Sequence, residues 1–143
     1  MIRHPTLLYQ DVTDLRRERV ILAKDAVTMI ATPGGNSTGG LATPQHGARE
    51  VSVIVQRQEP GGRNPSHRHD REEVLLLRAG EVRLTIGDEQ FALAAGDTAI
   101  VPANTLHQIE NNGEAVAEWL LIAPAGVRFF RPDGEENFPE WAR

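Results

Sequence analysis

The stretch Gly61-Gly-Arg-Asn-Pro-Ser-His67-Arg-His69-Asp-Arg-Glu-Glu73-Val-Leu-Leu-Leu-Arg-Ala-Gly80 decides how the chain is read. His67 and His69 stand two residues apart. On a β-strand that spacing puts both imidazoles on one face, where they can converge on a point; helical spacing would splay them. Glu73 follows beyond a short turn or bulge and opens an apolar run that ends at Gly80. Working outward, Val82, Leu84 and Ile86 alternate with Arg83 and Thr85, so this strand buries one face, and Gly87-Asp88 marks a hairpin turn before Phe91-Ala-Leu. Gly96 precedes Thr98-Ala-Ile-Val, Pro102-Ala-Asn supplies a turn, and further strands are expected over Leu106 to Ile109 and Ala115 to Ala123. On the other side, Val51-Ser-Val-Ile-Val-Gln-Arg reads as a strand, separated from the histidines by the turn-rich Glu59-Pro-Gly-Gly-Arg-Asn-Pro. About eight or nine short strands punctuated this way describe an all-β sandwich or barrel.

The chain of 143 residues has the size of one domain, and its 13 glycines and 9 prolines favour strands and turns over long helices. The expected division is a barrel over 50–123, an N-terminal extension of the same domain over 1–49, and a C-terminal arm over 124–143. In the extension, Val20-Ile-Leu-Ala and Val27-Thr-Met-Ile-Ala read as strands, and Asp14 could cap one helical turn. Residues 33–48, rich in Gly, Pro, Ser and Thr, read as a long loop, either a lid or a surface excursion. The arm carries Phe129, Phe130, Phe138 and Trp141, which most simply anchor it to the barrel.

A net charge of -5, with no basic run longer than Arg16-Arg17, argues against a nucleic-acid surface. No apolar run approaches the ~20 residues that span a bilayer, and Met1-Ile-Arg-His-Pro lacks a signal-peptide layout, so no membrane partner and a cytoplasmic location are expected. The absence of cysteine excludes disulfides, thiolate catalysis and iron-sulfur ligation. A bound metal would therefore take His, Asp and Glu. His107, on a later strand, could be brought opposite His67, His69 and Glu73 by a closed antiparallel sheet. Three neutral imidazoles and a carboxylate suit one divalent transition ion, Fe, Mn, Ni, Co, Zn or Cu. A His-x-His pair alone is more often two exposed or core histidines, and the hairpin context is what separates this one.

That context resembles the cupin superfamily. Gly61, His67, His69, Glu73 and Gly80 fit the spacing of the first cupin motif, and Gly96, Pro102, His107 and Asn111 that of the second, with fifteen residues between Gly80 and Gly96. The second motif usually has glycine where this chain has Asn104, the next residue most tolerant of a left-handed backbone. The resemblance implies a double-stranded β-helix, or jelly roll, with His67, His69, Glu73 and His107 as metal ligands, and pairing into a homodimer through N-terminal strands. It also favours a dioxygenase acting on a small-molecule substrate with an enol, phenol or diketone oxygen, Glu73 being both ligand and catalytic proton acceptor. A redox-neutral isomerase, lyase or decarboxylase, or a non-catalytic metabolite or metal sensor, stays open beside it. Arg68 should point away from the histidines, Arg63 could hold a substrate carboxylate or be a solvated loop charge, and His4 and His46 have no ligand-spaced neighbours.

Overall fold

The computed structural model describes residues 21–139. His4, the Asp14 turn and Trp141 lie outside the described residues, as does Val20. Twelve strands follow in chain order: β1 (Ile30–Thr32), β2 (Asn36–Ala42), β3 (Val51–Gln58), β4 (Arg68–His69), β5 (Glu73–Ala79), β6 (Glu81–Ile86), β7 (Glu89–Ala94), β8 (Thr98–Val101), β9 (His107–Glu110), β10 (Ala117–Pro124), β11 (Phe129–Phe130) and β12 (Glu136–Asn137). They form a six-stranded sheet ordered β1-β2-β3-β10-β5-β8 and two three-stranded sheets, β7-β6-β9 and β12-β11-β4. All pairings are antiparallel, as expected of the jelly roll.

The core lies between the large sheet and β7-β6-β9. Leu75 and Leu77 from β5, Val82 and Leu84 from β6, Ile109 from β9 and Trp119 from β10 are all essentially inaccessible. Period-two alternation produces this directly: β10 buries Ala117, Trp119, Leu121 and Ala123 on one face. Between β5 and β6, Gly80 has φ +79°, and a Cβ there would stand 2.9 Å from the Val116 carbonyl. The glycine expected to end the strand is thus required on two counts, conformation and space.

The stretch 33–48 is not one long loop. Its residues 36–42 form β2, an inner strand paired with β1 on one side and β3 on the other. Asn-Ser-Thr-Gly-Gly-Leu-Ala has weak intrinsic strand preference, and its neighbours override it. Gly39 sits where a Cβ would meet Met29 Sδ at 2.7 Å, so a small residue lets the preceding segment cross close by. The polar side chains are absorbed inside: Asn36 Nδ2 donates to the Pro33 and Arg63 carbonyls, and Asn36 Oδ1 accepts from Gln58 Nε2. Residues 21–23 are not in a strand, and of the second expected N-terminal strand only Ile30 and Ala31 pair, in a strand that runs on to Thr32.

The arm folds back as expected. Phe129 is buried and pairs in register with His69, and Phe130 with Arg68. The guanidinium groups of Arg68 and Arg128 stack over Phe130 at 5.4 and 5.3 Å, so Arg68 packs on the arm rather than facing the histidines. Phe138, by contrast, is largely exposed.

Candidate metal centre

The fold brings His67, His69, Glu73 and His107 together. His69 ends β4, Glu73 begins β5 and His107 begins β9, while His67 forms an isolated antiparallel bridge with His107. The bridge makes backbone hydrogen bonds of 3.1 and 2.9 Å, closing the first motif against the second. The Asn104 amide donates to the His69 carbonyl at 2.6 Å, and Asn104 has φ +59°. Asparagine does occupy the left-handed turn, as the departure from glycine predicted.

The ring centroids of His67, His69 and His107 lie 4.3 to 4.9 Å apart, and one ligating atom from each can be chosen so that all three lie within 4.8 Å of one another. Glu73 Oε2 stands 2.7 Å from His69 Nδ1 and Oε1 stands 3.3 Å from His107 Nε2, with His69, Glu73 and His107 all buried. Neither contact has hydrogen-bond geometry: both ring nitrogens of His69 and Nε2 of His107 are buried without a hydrogen-bond partner. Orphaned ring nitrogens converging beside a buried carboxylate are costly unless something occupies them, and a divalent cation fits.

Local contacts prepare the donors. The Nδ1 groups of His67 and His107 lie 2.8 and 3.0 Å from the carbonyls of Pro65 and Thr105, each two residues upstream. A carbonyl only accepts, so each Nδ1 carries a hydrogen and Nε2 is the nitrogen left to face a metal. Burial, reinforced by His107 and His69, lowers the His67 pKa to about 4, which leaves the ring neutral near pH 7. Burial pushes the Glu73 carboxyl up, but the contacts with His107 and His69 prevail and bring it down to about 2. The carboxylate is therefore ionised and offsets one positive charge of any ion held there.

A cavity of about 420 Å³ opens on the His67 side. Its walls come from β1 and β2 (Thr32, Asn36, Thr38), β3 (Gln56), the motif loop (Asn64, Ser66) and the arm (Phe129, Arg131, Phe138). Sequence reasoning did not single out the wall residues other than Phe129 and Phe138. One signal was present: Gln56 and Gln58 continue the inward parity of Ser52 and Ile54, and amides at inward positions of a core strand mark a polar interior. Leu75, Leu77 and Trp119 are core. Arg63 is exposed and is not among the residues that line the cavity, and His46 bonds the Thr43 amide and hydroxyl at 3.2 and 3.1 Å, capping a short 3-10 turn.

Fold and site together define a jelly-roll barrel with a histidine cluster at one end of its interior. The chain belongs to the cupin superfamily: residues 54–123 match the cupin domain. It is 31% identical over 86 residues to auxin-binding protein 1 of Arabidopsis thaliana, covering 54% of this chain and 43% of that protein. It is 31% identical over 91 residues to quercetin 2,3-dioxygenase of Bacillus subtilis strain 168, covering 63% of this chain and 24% of that one. The chain thus spans less than half the length of these relatives. Among solved structures, the polyketide cyclase RemF of Streptomyces resistomycificus shares the fold with a TM-score of 0.67 at 18% identity, over 85% of this chain and 87% of that one. Among the described residues, no helix is long and apolar enough to cross a membrane, which says nothing about strands.

Proposed function

We propose that the protein is a mononuclear metal-dependent dioxygenase acting on a small organic substrate with an enol, phenol or diketone oxygen, the ion held by His67, His69, Glu73 and His107. The observation that supports it is the convergence of three imidazoles and an ionised carboxylate beside an open cavity. The likeness to a quercetin 2,3-dioxygenase supports the oxygen chemistry. A divalent transition ion bound there would supply Lewis acidity toward the substrate oxygen and, where redox-active, electrons for O2. The chain's own residues do the rest. His67 and His107 offer Nε2 donors oriented by backbone carbonyls. Glu73, whose ionised form the neighbouring histidines favour, would act as proton acceptor for an acidic substrate hydroxyl such as an enol or phenol. Phe129 packs edge-on against His69 at 4.6 Å and keeps water from that ring.

A homodimer in the cytoplasm is part of this reading. The exposed Val51 and Ile100 of the large sheet support the pairing, and sedimentation of the purified chain tests it. The function is tested by loading the protein with each divalent ion in turn and measuring oxygen uptake across a panel of diketones and flavonols. Uptake matching substrate loss is expected. Turnover at an undiminished rate without O2 would replace this reading by a redox-neutral one.

A further inference from the structure

We propose that the cavity selects small organic oxyanions, carboxylates or enolates, and that Asn64 and Gln56 are the residues that select them. The proposal rests on the metal reading above only for where the ligand's reacting end lies.

The argument turns on which end of each side-chain amide is committed. Trp119 Nε1, which can only donate, lies 2.9 Å from Gln56, so the Gln56 oxygen must face it. The Gln56 nitrogen then points the other way and donates to Thr38 Oγ1 at 3.3 Å with one of its two hydrogens. Asn64 is fixed by the same logic. The Ile109 backbone amide donates to its side-chain oxygen at 2.8 Å, which leaves Nδ2 as its uncommitted polar end. Both residues line the cavity beside His67. Thr38, also in the wall, accepts from Gln56 and so has its own hydroxyl hydrogen left to give.

The cavity therefore presents donors. Its charged complement agrees: among the described lining residues there is no carboxylate, and Arg131, whose Nε lies 3.8 Å from Asp133 Oδ1, is one of them. A ligand with acceptor oxygens satisfies these groups, whereas an ammonium or amidinium group would leave them unpaired. Both amides are held by bonds to the scaffold, so the donor array is set before a ligand arrives.

The test uses benzoate and benzamidine, which match in size and shape but differ in sign: benzoate offers two acceptor oxygens and benzamidinium only donates. Zinc-loaded protein is titrated with each by calorimetry and by NMR of side-chain amides. Benzoate is expected to bind more tightly and to shift the Asn64 and Gln56 amide signals. Asn64→Asp and Gln56→Glu keep an oxygen for the Ile109 and Trp119 donors while replacing the cavity-facing NH2 by an acceptor. Each should weaken benzoate binding about tenfold or more at unchanged zinc content, and the double variant should come to prefer benzamidine. Unchanged benzoate affinity in both variants overturns the proposal, as does equal binding of the two probes by the wild-type protein. Amide signals that stay still under saturating benzoate overturn it without recourse to any variant. The dioxygenase reading fails separately, by an absence of oxygen uptake. If the protein does not retain zinc, the amide signals and the two variants, compared on the metal-free chain with benzoate, still decide the role of the amides.

Discussion

His67 and His107 face each other across an antiparallel bridge, and each leans its Nδ1 on a carbonyl two residues upstream. His69 is held differently. Neither of its ring nitrogens has a hydrogen-bond partner, Glu73 stands against one of them, and the face of the site beyond it is closed by Phe129 from a strand sixty residues further along the chain. Two of the three imidazoles are thus oriented by their own local backbone, and the third by packing against the C-terminal arm. The cluster has a self-supporting side and a borrowed side. The largest effect expected from this comparison comes from removing the borrowed imidazole itself: His69→Ala should abolish metal loading, measured as metal per chain after dialysis. Retention of a full equivalent would mean that His67, Glu73 and His107 suffice.

A subtler break leaves every ligand in place and removes only the support. Phe129→Ala opens space beside His69 and should cost ~3 kcal/mol of stability, the range for a buried phenylalanine. It should also weaken metal affinity by about tenfold, as loss of a contact that orients a ligand does. Competition against a chelator measures the second effect. Cobalt-loaded protein offers an independent check, since a loosened His69 alters the visible ligand-field spectrum. A stability loss with unchanged affinity and spectrum would reduce Phe129 to core packing.

The two sides also differ in how legible they were. The spacing of His67, His69, Glu73 and Gly80, and Gly96 and Pro102 of the second motif, announce hairpins, and a hairpin fixes its own geometry over a few residues. The left-handed turn at Asn104 was readable for the same reason. The borrowed side was not, because nothing near Phe129 says which strand it will pair with. That pairing depends on β11 reaching β4 across the whole barrel. Strand β2 escaped notice for a related reason: Asn36, Thr38 and Gly39 look like loop until Gln58, Gln56 and Met29 are placed against them. The cavity-facing ends of Asn64 and Gln56 likewise depend on donors far away in sequence. Motifs that close on themselves can be read from residues, whereas contacts closed by distant partners need the fold.

Asn104 gives a probe of the self-supporting side. Its amide carries the His69 carbonyl while its φ of +59° shapes the turn into His107, so it touches both arrangements through backbone alone. Asn104→Gly should leave stability within a few tenths of a kcal/mol, because glycine adopts this conformation readily. Asn104→Val should cost ~1–2 kcal/mol, since a β-branched residue resists positive φ. Chemical denaturation of the metal-free protein measures both. Equal stability of the two variants would show that the turn relaxes to another conformation without cost.

The smallest effect belongs to the ion pair that closes the arm. Arg128 bonds both Glu136 oxygens, at 3.0 and 2.6 Å, and the hydrogen bonds and charge of Arg128 lower the Glu136 pKa. A carboxyl whose folded pKa lies below its unfolded value stabilises the fold above the ordinary glutamate range and loses that contribution as pH falls through the depressed value. The pair is exposed, so the change should register locally in the arm and barely in global stability. The backbone signals of Arg128 and Phe130 should therefore move as acid is added below the ordinary glutamate range, and stay still in Glu136→Gln. Asp70 also reaches this segment, its carboxylate accepting from the Arg128 amide at 2.7 Å. Asp70→Asn separates the two, because it keeps an acceptor for that amide and removes the second negative charge. If Glu136→Gln leaves the acid-induced movement intact and Asp70→Asn abolishes it, the arm is latched to the histidine strand through Asp70 rather than through its own hairpin, and the borrowed side of the cluster is fastened at the residue next to His69.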